Sequence, residues 1–161
     1  MSGEMPTVFL YAPQDFHNLC LLARTLDVFG QRECLIFDPR RLVRERYGKA
    51  RSRELRAISA GAFEKNQWRP VEQPDLLLAN YAGRVVATVA DATAPRLDEH
   101  RFASTDLVVF GSESTGLPSH VIAASTIAVT IPVLGETPSL NLAVSLGIVL
   151  FERGRQLRSA S

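Results

Sequence analysis

Five short apolar runs recur along the chain: TVFLY (7–11), ECLIFD (33–38), RVVATVA (84–90), DLVVF (106–110) and TIAVTIPV (126–133). They are rich in β-branched, aliphatic and aromatic residues and show little polar alternation. Strands that are apolar on both faces must be covered on both faces, which is the condition of a parallel sheet between helices. The segments between the runs supply those helices. Leu19, Leu22, Ala23 and Leu26 repeat at helical spacing behind Asp15 or Asn18 as cap, and Gly30 ends the pattern. PDLLLANYAG has proline at its start and glycine at its end, and SHVIAAS is a short helix. SLNLAVSLGIVLFERGRQL is a long final helix, apolar nearly all round until Glu152. The stretch 59–73, SAGAFEKNQWRPVEQ, is weakly patterned. The alternation predicts an α/β domain with a mostly parallel sheet flanked by helices, one domain over 1–161 with no linker.

Ligands of such sheets bind beyond the carboxyl ends of the strands. That brings together three candidate segments: Val89 and Ala90, the turn 111–116, and the loop 131–139. The middle one, FGSESTGLPSHV, leaves a buried run through two glycines, three small hydroxyl residues and Glu113. A plain turn needs one glycine and no carboxylate, so the segment reads as a strand end built around a ligand. Glycine there allows close backbone approach. Glu113 is either a general base or a carboxylate that accepts backbone N–H bonds and shapes the turn.

Other site chemistries find no support. No GxGxxG follows the first run and no GxxxxGK[ST] occurs. GSESTG departs from the GxSxG nucleophile elbow, because Glu113 holds the middle position. His17, His100 and His120 lack metal-ligand spacing and read as surface or packing residues. Cys20 and Cys34 have no CxxC spacing and sit among apolar residues, so buried free thiols are expected. No apolar run approaches a membrane span, and MSGEMPTVFLY is unlike a signal peptide, so cytoplasmic residence and no membrane partner are expected.

The net charge of +1 hides an asymmetry. Of eighteen basic residues, Arg40, Arg41, Arg44, Arg46, Lys49, Arg51, Arg53 and Arg56 fall within 39–56, opposed only by Glu45 and Glu54. A charge run is often only a solvated helix face. This one is dense and mostly arginine, whose planar fork suits phosphate, so Arg40, Arg41, Arg44 and Arg46 are candidate contacts for a phosphate-rich partner, which the resemblance described next implies to be RNA.

Three blocks of the chain resemble the motifs of the SpoU/TrmH methyltransferases, within the SPOUT superfamily. HNLCLLARTLDVFG is similar to their first motif, in which an asparagine precedes an arginine by six residues, as Asn18 precedes Arg24. FGSESTGLP resembles the second. IPVLGETPSLNLAVSLGIVLFE resembles the third, a strand ending in Ile-Pro followed by Ser-Leu-Asn opening a helix. The resemblance implies the SPOUT fold with a C-terminal trefoil knot, S-adenosyl-L-methionine bound in the knot, and a homodimer with the site assembled across the interface. It implies methyl transfer to a ribose 2′-hydroxyl of tRNA or rRNA, tRNA favoured. Arg24, Asn18, Glu113, Ser139 and Asn141 match the family's polar site positions. Val89, Ala90, Gly111, Gly116, Ile131, Ser139 and Leu140 are the expected cofactor contacts. Arginine's very high pKa argues against a free guanidine base, so Arg24 is expected to hold the adjacent phosphate and steer the hydroxyl. Ser139 also suits the N-cap of the last helix. Cys20 stands where the family usually has glycine. That departure motivates the alternative, a non-catalytic RNA- or cofactor-binding SPOUT protein.

Overall fold

The computed structural model describes residues 7–43 and 49–159. The described residues form six strands: β1 (Val8–Tyr11), β2 (Glu33–Phe37), β3 (Gln67–Pro70), β4 (Val85–Val89), β5 (Leu107–Phe110) and β6 (Ile127–Thr130). They form one sheet in the order β3-β2-β1-β5-β4-β6. Every pairing is parallel, with Phe9 opposite Leu35 on one side and Val109 on the other. The helices are α1 (Phe16–Val28), α2 (Lys49–Ser59), α3 (Ala62–Lys65), α4 (Pro74–Asn80), α5 (Ser119–Ala124) and α6 (Leu142–Ser159).

Alternate residues of the central strands feed two cores. Val8, Leu10, Val86, Val108 and Phe110 pack with Leu19, Leu22 and Leu26 of α1 and with Leu146, Val149 and Leu150 of α6. Phe9, Leu35, Ala87, Leu107 and Val109 pack with Leu78 of α4 and Val121 of α5. Each fully buried aliphatic side chain contributes about 1.5–3 kcal/mol, which is why the double-sided apolar runs find this arrangement.

Three features differ from the sequence expectation. The weakly patterned stretch holds a short helix, α3, and a sixth strand, β3. Gln67, Arg69 and Pro70 of β3 are exposed and Trp68 is half-buried, so the strand lacks an apolar signal. It lies at the sheet edge beside β2, where a proline is tolerated. The run 126–133 leaves the sheet after Thr130, short of Ile131 and Pro132. Helix α6 begins at Leu142 rather than at Ser139. Its cap is Asn141, whose Oδ1 accepts the Ala143 N–H at 2.8 Å. At α1, Asp15 is the cap, accepting the Asn18 N–H at 2.8 Å.

Helix α6 follows the edge strand β6, yet it returns across the sheet to pack on α1. Its far end is tied to the 100–104 segment. There the Gln156 amide donates to His100 O and accepts the Phe102 N–H, and Arg153 donates to Ser104 O. Val144, Ile148 and Phe151 form an exposed apolar stripe on α6, and Leu21 is exposed on α1. Cys20 and Cys34 are buried and are not joined in a disulfide, and burial pushes the Cys34 thiol up. Cys20 packs with Phe16 and Leu55 between α1 and α2. Among the described residues, no helix is long and apolar enough to cross a membrane.

Candidate functional site

The strand order reverses between β1 and β5. From β1 the chain runs outward to β2 and β3, while β5, β4 and β6 lie on the other side. The crevice at such a switch point, beyond the carboxyl ends, is where ligands of these sheets bind. Here the loop after β1 meets the turn after β5.

The meeting is made by Glu113. Its Oε2 accepts the Gln14 N–H at 2.8 Å, and its Oε1 accepts the Asp15 N–H at 3.3 Å and the Asn18 side-chain amide at 3.4 Å. Asn18 in turn accepts from the Asn141 amide at 3.0 Å, and Asn141 caps α6. One hydrogen-bonded chain therefore joins three segments far apart in sequence. Of the two roles open to Glu113, the carboxylate that accepts backbone N–H bonds is present in this geometry.

The turn itself is tight. The Ser112 and Gly116 backbones exchange hydrogen bonds of 3.1 and 3.0 Å, and the Ser112 and Thr115 hydroxyls meet at 2.7 Å. Gly116 has φ +64°, where an L side chain is strained, although space around it is open. Gly111 is constrained differently. A Cβ there would come within 2.2 Å of the Gly116 carbonyl carbon and 2.3 Å of the Leu117 nitrogen. The close approach that Gly111 permits within the chain is therefore to the turn's own backbone.

Above the switch point lies a cavity of about 730 Å³. Val89, Ala90, Gly111, Gly116, Ile131, Ser139 and Leu140 all line it, as do Glu113 and Asn141. Phe110, Val129, Leu142 and Val149 supply apolar wall. Asn18 is not part of the wall but is bonded to Glu113 and Asn141, which are. Arg24 is outside the wall, exposed on α1 three residues after the exposed Leu21.

Sequence reading missed Thr88, Asp91 and Ser145, which also line the cavity. Asp91 directly follows Ala90, and Ser145 is one helical turn beyond Asn141, so adjacency and helical spacing were the available signals. The Thr93 hydroxyl and N–H bond the Asp91 carboxyl and hold it below its ordinary range.

Of the basic candidates, Arg40 and Arg41 are exposed in the loop after β2, at the same end of the sheet as the cavity. Arg40 donates to the Gln14 carbonyl at 3.3 Å. Arg44 and Arg46 lie outside the described residues.

The SpoU rRNA Methylase family matches residues 5–151. The tRNA (guanosine(18)-2′-O)-methyltransferase of Thermus thermophilus is 31% identical over 156 residues, covering 93% of this chain and 74% of that protein. Other relatives are spanned less fully: the matches reach 28%, 40% and 60% of the lengths of two Synechocystis proteins and one from Escherichia coli. A solved structure concerned with 2-OH methylation of C/U34 on tRNA superposes with a TM-score of 0.76 at 28% identity, covering 94% of this chain and 95% of that one. An AdoMet-bound rRNA methyltransferase from Sinorhizobium meliloti gives 0.74 at 25% identity, covering 93% and 56%. With the parallel sheet, the glycine turn and the matched span in agreement, the chain belongs to the SpoU rRNA methylase family.

Proposed function

We propose that the chain acts in the cytoplasm as an S-adenosylmethionine-dependent RNA 2′-O-ribose methyltransferase, with tRNA favoured over rRNA. The observation that carries this reading is that Glu113 and Asn141, on the wall of one cavity at the switch point, are joined by hydrogen bonds through Asn18. The related tRNA and rRNA methyltransferases described above support the same chemistry.

The cavity suits the cofactor. Its volume lies within the usual range for small-molecule sites, and apolar walls alternate with backbone groups from the three strand ends. Val89, Ala90, Gly111, Gly116, Ile131, Ser139 and Leu140 would hold it. The bound cofactor supplies an electrophilic methyl group on a sulfonium centre, which needs an aligned nucleophile more than a strong base. Glu113 is satisfied by neutral N–H donors and has no salt-bridge partner among the described residues, so its charge favours a cationic ligand. Asn18 and Asn141 fix the wall. Ser139 offers a hydroxyl at the rim. Arg24 holds the phosphate beside the acceptor ribose, and the 2′-OH proton leaves to that phosphate or to water.

The reading includes one domain over 1–161, a homodimer and the C-terminal trefoil knot. The return of α6 from the edge strand to α1 supports a threaded path. The exposed Leu21, Val144, Ile148 and Phe151 support a second copy docked on that face. Arg24, on the exposed side of α1, would then serve the second copy's cavity. Burial of Cys20 between α1 and α2 weighs against the non-catalytic alternative, because the thiol is absorbed by packing.

Incubation with methyl-labelled cofactor should label the 2′-oxygens of bulk tRNA more than those of rRNA. Cofactor binding without transfer to either RNA would favour the non-catalytic reading. Arg24→Ala should lower transfer about a hundredfold while cofactor affinity, read by calorimetry, holds.

A further inference from the structure

We propose that Gln14 is a substrate-positioning residue, whose side-chain amide donates to a phosphate oxygen beside the methyl-accepting ribose. The inference rests on the RNA methyltransferase reading above. Gln14 occupies the gap between the basic loop and the cavity. Its carbonyl accepts from Arg40 at 3.3 Å, and its N–H is held by Glu113 at 2.8 Å. Its side-chain oxygen accepts the Ser114 hydroxyl at 2.6 Å, and both Glu113 and Ser114 line the cavity.

Those three bonds fix the residue from three sides and leave one group over. With Oε1 turned onto Ser114, the NH2 group points away from it, and no hydrogen bond engages that nitrogen among the described residues. The residue is half-buried, so the amide is reachable yet already oriented, and little ordering cost remains on binding. An RNA strand whose phosphates rest on Arg40 and whose ribose enters the cavity must pass this amide.

The residue type suits the place. A lysine or arginine at position 14 would be drawn onto the Glu113 carboxylate. An acid would repel the phosphate. A neutral amide donates to phosphate and leaves Glu113 undisturbed. It also separates two functions, because the contacts to Arg40 and Glu113 are made by backbone atoms and survive substitution. Only the side chain reaches Ser114 and the substrate.

The test uses Gln14→Ala, Gln14→Glu and Ser114→Ala in the full chain. It reads the KM for bulk tRNA, tRNA binding by fluorescence anisotropy across a salt series, and cofactor affinity by calorimetry. Gln14→Ala should raise the KM and weaken tRNA binding about tenfold, as expected for a lost hydrogen bond to a charged group. The salt slope should stay unchanged, because a neutral donor releases no counterion. Gln14→Glu should weaken binding further, and cofactor affinity should hold in both. Ser114→Ala should change tRNA binding less than Gln14→Ala does. Tight tRNA binding by Gln14→Ala, within about twofold of wild type, would overturn the proposal. So would a parallel loss of cofactor affinity in Gln14→Ala and Ser114→Ala, which would make Gln14 a strut for the turn. Wild type that binds tRNA but transfers no methyl overturns the parent reading alone, since anisotropy reads Gln14 without turnover. Wild type that does neither overturns both.

Discussion

Two carboxylates flank the four-residue strand β5, and their settings are opposite. Asp106 precedes the strand, is fully buried, and is gripped by Arg84 through Nε at 2.9 Å and Nη2 at 2.7 Å. It also accepts the Ala103 N–H at 2.8 Å. Glu113 follows the strand, is half-buried, and among the described residues is met by two backbone N–H groups and the Asn18 amide. At the amino end the charge has its own guanidinium and the local geometry closes on itself. At the carboxyl end the charge is solvated by neutral donors and faces a cavity. A carboxylate whose cation is built in acts as a clamp, whereas one held by neutral donors at a cavity wall keeps its charge available to a ligand. Helix α6 spans both ends, capped by Asn141 beside Asn18 and tied by Gln156 to the 100–102 segment.

The largest expected effect breaks the clamp. Asp106→Ala removes the acceptor of the Ala103 N–H and of two Arg84 hydrogen bonds, while Arg84 keeps its bond to Arg101 O, and should destabilise the fold by about 3 kcal/mol in urea titrations. The fraction that folds should bind cofactor normally, because the cavity lies at the other end. A loss under about 1 kcal/mol would show that the amino end is no clamp. Next in size is Gly111→Ala, whose Cβ collides with the 116–117 backbone. It should cost about 1–3 kcal/mol and abolish cofactor binding together with the turn. Gly116→Ala meets open space but a left-handed φ, and should cost about 1–2 kcal/mol with weaker loss of binding. Thermal melts paired with calorimetry separate the two. Equal losses would mean that the turn's backbone contact is not what Gly111 protects.

Glu113→Gln tests the carboxyl end. An amide has one acceptor oxygen where the carboxylate has two, so its NH2 group would face a backbone donor of the 14–15 loop. A stability loss of about 1 kcal/mol is expected, with a larger proportional loss of methyl transfer in single-turnover assays. If stability falls as far as in Asp106→Ala while transfer holds, the carboxyl-end carboxylate is structural too.

The central strands and the cavity wall were legible because burial on both faces leaves an unbroken apolar run, as in DLVVF and RVVATVA, and because glycines cluster where backbone must turn sharply. What escaped was set by tertiary partners. Gln67, Arg69 and Pro70 form a strand only because Glu33, Leu35 and Ile36 stand beside them, and an exposed edge needs no apolar pattern. Asn141 rather than Ser139 caps α6 because Asn18 and the loop fix where the helix can start. Glu113 was legible as a possible acceptor of backbone N–H bonds, but its donors, Gln14 and Asp15, lie almost a hundred residues earlier, so no local window could name them. Asp106 looked like the ordinary start of a strand, because nothing nearby in sequence announces that Arg84 will grip it.

The smallest expected effect is a pH dependence confined to the amino end. His100 is buried, its ring edge-on to Phe102 with centroids 4.6 Å apart, and its Nε2 lies 3.9 Å from Asp106. Burial lowers its pKa, the nearby Arg84 guanidinium lowers it further, and Asp106 opposes them. The native state therefore keeps His100 neutral at a pH where the unfolded chain has begun to protonate it. Full stability holds above the unfolded value of about 6.5 and falls as pH drops from there toward the lower folded value, because the unfolded state binds the proton first. Between about pH 7 and pH 5, the urea midpoint of wild type should fall more than that of His100→Gln, which has no proton to gain. Cofactor affinity measured over the same range should not follow the difference, since the cavity lies at the opposite end of the sheet. Parallel titration of stability and cofactor affinity, both abolished by His100→Gln, would mean that α6 transmits the change between its two anchors, and the two ends would have to be treated as one coupled unit.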